Sequence, residues 1–143
     1  MEMEKIDALI KAVPLFHGLS REEVIKIFSK GMTMRCTKGE TIFYKGNIGN
    51  QMFVVLGGKI GVYDGEKHLA SLHVGDMFGE MALVNQEPRS ATTRAMEDSK
   101  LFVLSQDVFE RLMTKRVAIQ MLMNIIRTLS QRLKGANQMI KGN

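Results

Sequence analysis

The chain has 143 residues, 45% of them hydrophobic, which is the size of one globular domain, and its single cysteine, Cys36, excludes an intrachain disulfide and a thiolate metal cluster. No apolar stretch is long enough for a secretion signal or for the ~20 residues that cross a bilayer, which predicts a cytoplasmic protein without a membrane partner. The net charge of +5 suits an anionic ligand, but much of the excess positive charge lies from Arg111 onward, where a solvated helix face is the simpler interpretation. Only 6% of the residues are aromatic, so stacking on nucleic-acid bases is not favoured and we do not expect a nucleic-acid partner.

Two short helices are expected in residues 1–30. The first runs from Glu2 to Val13 and is ended by Pro14. Its apolar residues recur at helical spacing: Ile6, Leu9, Ile10 and Val13. Ser20 and Glu23 have the spacing of a capping box, in which each side chain satisfies a backbone donor, and this predicts a second helix from Ser20 to Ser29.

From residue 31 to residue 105 the sequence consists of short β-prone runs between turn residues. The clearest runs are Thr41–Tyr44, Met52–Leu56, Ile60–Tyr63 and Leu101–Leu104. Glycine-containing turns such as Gly57-Gly58 and Asp64-Gly65 separate them every 7 to 11 residues. The pattern predicts a mainly β domain with flanking helices (α+β), built as a β-roll or jelly-roll sandwich rather than alternating β and α units.

Residues 106–140 are expected to be helical and to end the single domain 1–143. Ser105 can cap a helix from Gln106 to Thr114, and a longer helix should follow from Val117 to Ile140. In the longer helix, apolar residues advance by alternating steps of three and four: Ile119, Leu122, Ile126, Leu129, Leu133, Ala136 and Ile140. This heptad seam favours a homodimer through residues 119–140, and the alternative is that the helix packs on its own β-roll.

The segment from Phe78 to Thr92 carries the chemistry. Gly79 permits a sharp turn out of a strand ending near Val74, and a short helix from Glu80 to Val84 should present free backbone amides that attract an anion. After a loop, Arg89 returns beside those amides, and its guanidinium can engage two phosphate oxygens at once.

Glu80 restricts the kind of phosphate. A carboxylate beside a phosphate cradle repels a dianion but accepts a hydrogen bond from a sugar hydroxyl. A cyclic ribose phosphate, with one negative charge and a free 2′-hydroxyl, has both features. Small residues leave room for such a ligand: Ala82, Ser90 and Ala91.

In this segment the sequence resembles the cyclic nucleotide-binding domain family. The likeness extends from Leu15 to Ala136, and the family's phosphate-binding cassette, residues 78–92, is present without a gap. Earlier turns resemble that family in the same order: Lys38 to Ile42, Gly46 to Asn50, Val55 to Gly58 and Val74 to Asp76.

The resemblance implies a role for each site residue. Glu80 would contact the ribose 2′-hydroxyl, and Arg89 with Ser90 and Ala91 the cyclic phosphate. The remaining members of the expected ligand-binding set are the cassette residues Gly79, Met81 and Ala82, the pocket residues Val62 and Leu69, and the C-terminal helix residues Arg132 and Asn137, which would approach the base. No catalytic residue, metal ligand or cofactor other than the nucleotide is expected.

The implied function is a non-catalytic receptor that signals through its C-terminal helix to an unknown downstream protein. Ser90, at a position where a threonine would favour cGMP, points by resemblance to cAMP, with cGMP as the alternative. The other interpretations are a regulatory fragment of a larger transcription factor, kinase or channel, a scaffold with a degenerate pocket, a nucleic-acid-binding regulator and an enzyme acting on cyclic nucleotides. Neither the stacking aromatic of kinase regulatory domains nor a helix-turn-helix follows in this sequence.

Overall fold

The computed structural model describes residues 3–141, without the side chains of residues 3, 5, 112 and 137–141. Its four α-helices are α1 (Met3–Ala12), α2 (Arg21–Lys30), α3 (Gln106–Leu112) and α4 (Lys115–Lys141). Two short 3₁₀ helices accompany them, Pro14–Phe16 and Glu80–Leu83. The predicted helices are all present, with ends displaced by one or two residues.

Within residues 3–141, eight strands form two antiparallel four-stranded sheets. The strands are β1 (Met32–Cys36), β2 (Thr41–Phe43), β3 (Gln51–Gly57), β4 (Ile60–Asp64), β5 (Lys67–Leu72), β6 (Met77–Phe78), β7 (Thr92–Ala95) and β8 (Ser99–Ser105). One sheet has the order β1-β8-β3-β6 and the other the order β2-β7-β4-β5. The expected sandwich with flanking helices is therefore confirmed. The strand expected to end near Val74 ends at Leu72, and the two-residue strand β6 lies between it and Gly79.

The first sheet is buried on both faces. Strands β3 and β8 send alternate side chains to opposite sides, so Val54 and Phe102 belong to a core beneath the helices while Val55 and Leu101 belong to the core between the sheets. This double burial explains the unbroken apolar runs in these two strands. Cys36 lies in the core between the sheets, and burial raises the pKa of its thiol.

Local sequence signals set the element boundaries as predicted. Ser20 accepts a hydrogen bond from the Glu23 amide at 3.2 Å, and the Glu23 carboxylate accepts one from the Ser20 amide at 3.0 Å, which completes the capping box. Ser105 caps α3 by accepting a 3.1 Å hydrogen bond from the Val108 amide. Both Gly58 and Gly65 adopt a positive φ, as tight turns between strands require.

Helix α4 begins against the N-terminal helices, and its residues from Ser130 to Ala136 are exposed. Its buried residues are Val117, Met121, Asn124 and Ile125. The predicted seam is divided between two environments. Leu122 and Leu129 pack against the core beneath the helices, whereas three residues are more than half exposed: Ile119, Ile126 and Leu133. No helix within residues 3–141 combines the length and apolar character needed to span a bilayer.

Candidate functional site

A cavity of about 370 Å³ opens on the inner face of the second sheet. Its walls come from strands β4, β5 and β7, from the 3₁₀ helix Glu80–Leu83, from the loop before β7 and from α4 through Arg132. The ligand-binding residues predicted in the cassette all line it: Gly79, Glu80, Met81, Ala82, Arg89, Ser90 and Ala91. The size is within the range of small-molecule sites.

Glu80 is a buried carboxylate at the start of the 3₁₀ helix. Gly79, with φ of 72°, turns the chain so that the helix begins immediately after β6, and Glu80 is left only 6% exposed. Arg132 of α4 donates a 2.8 Å hydrogen bond from Nη1 to Glu80 Oε1 and a second of 2.8 Å from Nη2 to the Met77 carbonyl. The buried charge is therefore paired with a cation from the C-terminal helix.

Arg89 is the second charged residue predicted in the cassette that lines the cavity. Its Nη2 donates to the Gln51 carbonyl at 2.7 Å and its Nη1 to the Gly79 carbonyl at 3.3 Å, while the guanidinium lies 4.2 Å from the centroid of the Phe43 ring. Burial lowers the pKa of Arg89, and the charge of Glu80 partly opposes that shift.

Two glycines make room for the Arg89 guanidinium. A Cβ at Gly49 or at Gly79 would collide with its nitrogen atoms. The geometry shows a cation that is held in place by backbone carbonyls and faces an open cavity. Such a group is suited to receive an anion.

Val62 and Leu69 were expected to line the pocket together, and for Leu69 this is wrong. In the ladder between β4 and β5, Val62 pairs with Ala70 and Tyr63 with His68, so Leu69 is the extra residue of a bulge. Leu69 is 50% exposed, and Ala70 is the residue of β5 that lines the cavity opposite Val62 in the ladder. Val62, Ala70 and Leu72 line the cavity.

Other expectations were incomplete or are outside the described part of the chain. Phe43 and Thr93 also line the cavity but were missed, because their strands contribute to a site whose recognisable motif ends at Thr92. The two-residue alternation that places Thr93 and Ala91 on one face was the available signal. The side chain of Asn137 is outside the described residues.

Known proteins share the sequence pattern of this domain. The family model for the cyclic nucleotide-binding domain matches residues 33–116. The cyclic AMP receptor protein of Thermus thermophilus is 33% identical over 133 residues, which are 90% of this chain and 61% of that protein. A cGMP-dependent protein kinase of Eimeria tenella is 36% identical over 71% of this chain and 10% of the kinase. This chain thus spans about three fifths of the first relative and a tenth of the second.

A solved structure shows the same architecture. The crystal structure of the Thermus thermophilus catabolite activator protein superposes with a TM-score of 0.78 at 34% identity, and the superposition covers 90% of this chain and 62% of that one. Within the described residues, no group of three or more His, Cys, Asp or Glu side chains is arranged to hold a metal ion.

Proposed function

This chain belongs to the cyclic nucleotide-binding domain family, and from that premise we propose that it is a receptor module for a cyclic nucleotide, with cAMP preferred over cGMP. The observation that carries the proposal is that Arg89 and Glu80 both line one cavity of about 370 Å³. The Arg89 guanidinium offers a positive charge to an anion, and the Glu80 carboxylate accepts a hydrogen bond. We further propose that residues 1–143 act as a single domain.

The phosphate end of the ligand is assigned to Arg89, Ser90 and Ala91. Arg89 now donates to the carbonyls of Gln51 and Gly79, and neutral carbonyls are weaker acceptors than an ionised phosphate oxygen. A cyclic phosphate therefore competes well for the same donors. Ser90 is exposed at the cavity edge, where its hydroxyl can add a further hydrogen bond.

The sugar end is assigned to Glu80. Its carboxylate holds one hydrogen bond from Arg132 on Oε1, and a carboxylate has further acceptor positions for a ribose hydroxyl. A second anion near Glu80 would be repelled, whereas a hydroxyl is a donor. Val62, Ala70 and Leu72 offer an apolar wall for the base.

The preference for cAMP rests on Ser90, because the names of the relatives divide between the two nucleotides and favour neither. The Thermus protein is named for cyclic AMP and the Eimeria kinase for cGMP.

We propose a binding role without turnover, and the absence of AMP after incubation of cAMP with the protein is the expected result.

Transmission of binding is assigned to α4 through Arg132. This residue holds Glu80 and the Met77 carbonyl from a helix whose neighbouring residues, from Ser130 to Ala136, are exposed. A ligand that binds to Glu80 changes the strength of the hydrogen bond between Arg132 and Glu80. This change alters the free energy of the present position of α4 and so shifts the helix toward another position. We further propose that the exposed part of the seam pairs with a second copy of the chain, and that helix movement alters that pairing or a downstream partner's surface.

Calorimetric titration of the Arg89→Ala variant with cAMP tests the assignment. We expect a loss of about 2 to 5 kcal/mol of binding free energy, equal to roughly thirtyfold to several thousandfold in affinity, because the variant removes a charge-assisted contact in a largely desolvated site. The matched control is Arg94→Ala on the same side of the domain, since Arg94 lies over the Tyr63 ring, at 5.0 Å, and does not line the cavity.

Equal affinity of the parent and Arg89→Ala would contradict the assignment. If the parent binds neither cAMP nor cGMP at millimolar concentration, the chain is a degenerate member of its family and the receptor proposal fails.

A further inference from the structure

Two buried side-chain nitrogen or oxygen atoms in the described part of the chain are without a hydrogen-bond partner, and their residues line the same cavity. They are Arg89 Nε and Thr93 Oγ1. Thr93 is only 2% exposed. A buried hydroxyl without a partner destabilises the protein, so such a group calls for a specific explanation.

The position of Thr93 relates the hydroxyl to the ligand site. Thr93 pairs with Val62 in the ladder between β7 and β4, and with Phe43 in the ladder between β7 and β2. It therefore lies on the inner wall between the apolar surface assigned to the base and the aromatic ring beneath the Arg89 guanidinium. Its flanking residue Thr92 satisfies its own hydroxyl by accepting a 2.9 Å hydrogen bond from the Lys45 amide.

The two unpaired atoms are connected through Phe43. Arg89 covers the Phe43 ring while it donates to the Gln51 and Gly79 carbonyls, and an Arg89 that turns toward a phosphate must leave at least part of this arrangement. Thr93 already lines the cavity on the strand next to Phe43. Rotation about the Thr93 Cα–Cβ bond can bring the hydroxyl toward a bound ligand, since threonine exchanges its methyl and hydroxyl positions between rotamers.

We propose that Thr93 is a ligand-selecting residue whose hydroxyl hydrogen-bonds the bound cyclic nucleotide beside the base. This inference rests on the proposed function and adds a contact that lies beyond the phosphate-binding cassette. The hydroxyl distinguishes ligands that place a polar atom at this wall from those that place an apolar group there, because an unmatched hydroxyl stays unpaired.

The Thr93→Val variant tests the proposal, since valine has the same shape and lacks the hydroxyl. We expect the affinity for cAMP, measured by calorimetry, to fall about three- to tenfold, the range of one net hydrogen bond. We expect the melting temperature of the ligand-free protein to rise by about 2 to 4 °C, because an unsatisfied buried hydroxyl is removed. A merely structural threonine would give a lower melting temperature and unchanged affinity, so the opposed signs identify the ligand role.

Two further variants complete the experiment. Thr93→Ser keeps the hydroxyl and should bind cAMP within about twofold of the parent, whereas Thr33→Val, on an exposed position of β1 in the other sheet, should leave the affinity unchanged. Unchanged cAMP affinity in Thr93→Val, or failure of that variant to fold, overturns the role of Thr93 while the Arg89 result still stands. If the parent itself binds no cyclic nucleotide, the receptor proposal fails and this inference falls with it.

Discussion

The two halves of α4 differ in how they are held. The first half is buried against the 3₁₀ helix Pro14–Phe16 and the N-terminal helices through Val117, Met121 and Ile125. The second half is exposed from Ser130 to Ala136, and its polar contact with the β-sandwich is made by Arg132. One helix thus contains a fixed part and a part that depends on the state of the cavity.

The polar contacts of the two halves differ in the same way. Asn124, 2% exposed, donates from Nδ2 to the Leu15 carbonyl at 2.7 Å and to the His17 carbonyl at 2.8 Å. Leu15 is fully buried, so the loss of Asn124 removes a donor where water does not readily replace it. The Arg132 side chain is 44% exposed, so water can reach its donors, whereas the Glu80 carboxylate that it pairs with is buried and faces the cavity. Buried neutral hydrogen bonds therefore fix the beginning of the helix, while the contact farther along the helix depends on an ion pair with a residue of the cavity.

The largest expected effect comes from breaking the fixed half. Asn124→Ala removes the donor that two carbonyls share inside the domain, and we expect the free energy of unfolding in urea to fall by about 2 to 4 kcal/mol. Gln131→Ala, an exposed position on the same helix, is the control and should change it by less than about 0.5 kcal/mol. If both variants were equally stable, the anchor would not be Asn124.

A smaller effect is expected from breaking the contact of the second half. Arg132→Gln removes the cation from the buried Glu80 carboxylate, which then depends on water in the cavity for part of the lost interaction. We expect a loss of about 1 to 2 kcal/mol, seen as about fivefold to thirtyfold faster amide hydrogen exchange in residues 130–136 of the ligand-free protein. Addition of cAMP should change exchange in this segment in the parent and leave the variant nearly unaffected.

The control for Arg132→Gln is Lys134→Gln, which removes a charge from an exposed position of the same helix. A variant in which cAMP still alters exchange as in the parent would show that Arg132 does not carry the signal. The remaining route would then be through other residues of the cavity wall.

Interactions between residues close together in the sequence account for the parts of the fold that were predicted correctly. The capping box at Ser20, the cap at Ser105 and the turn glycines are decided by interactions within a few residues, and they were predicted correctly. The sequence of the cassette also identified Glu80 and Arg89 as neighbours of one cavity.

What the sequence did not predict depends on contacts between distant residues. The pairing of Val62 with Ala70 and of Tyr63 with His68 leaves Leu69 as the extra residue of a bulge, and the position of a bulge in a strand is set by its partner strand. The hydrogen bonds from Asn124 to the carbonyls of Leu15 and His17 join residues more than 100 positions apart, and the periodicity of the sequence does not predict them. The orphan hydroxyl of Thr93 becomes visible only when its surroundings are known.

The smallest effect on the folded monomer is expected at the exposed seam. Leu133 is 63% exposed in the single chain, so Leu133→Glu should change the free energy of unfolding by less than about 0.5 kcal/mol. If a second copy covers this seam, the same change buries a charge at the interface, and the dimer should weaken at least about tenfold in sedimentation equilibrium. Gln131→Glu adds the same charge off the seam and should leave association unchanged. A parent protein that is monomeric at all accessible concentrations, or a dimer that tolerates the charge on the seam as well as it tolerates the charge off the seam, would assign α4 to its own domain alone.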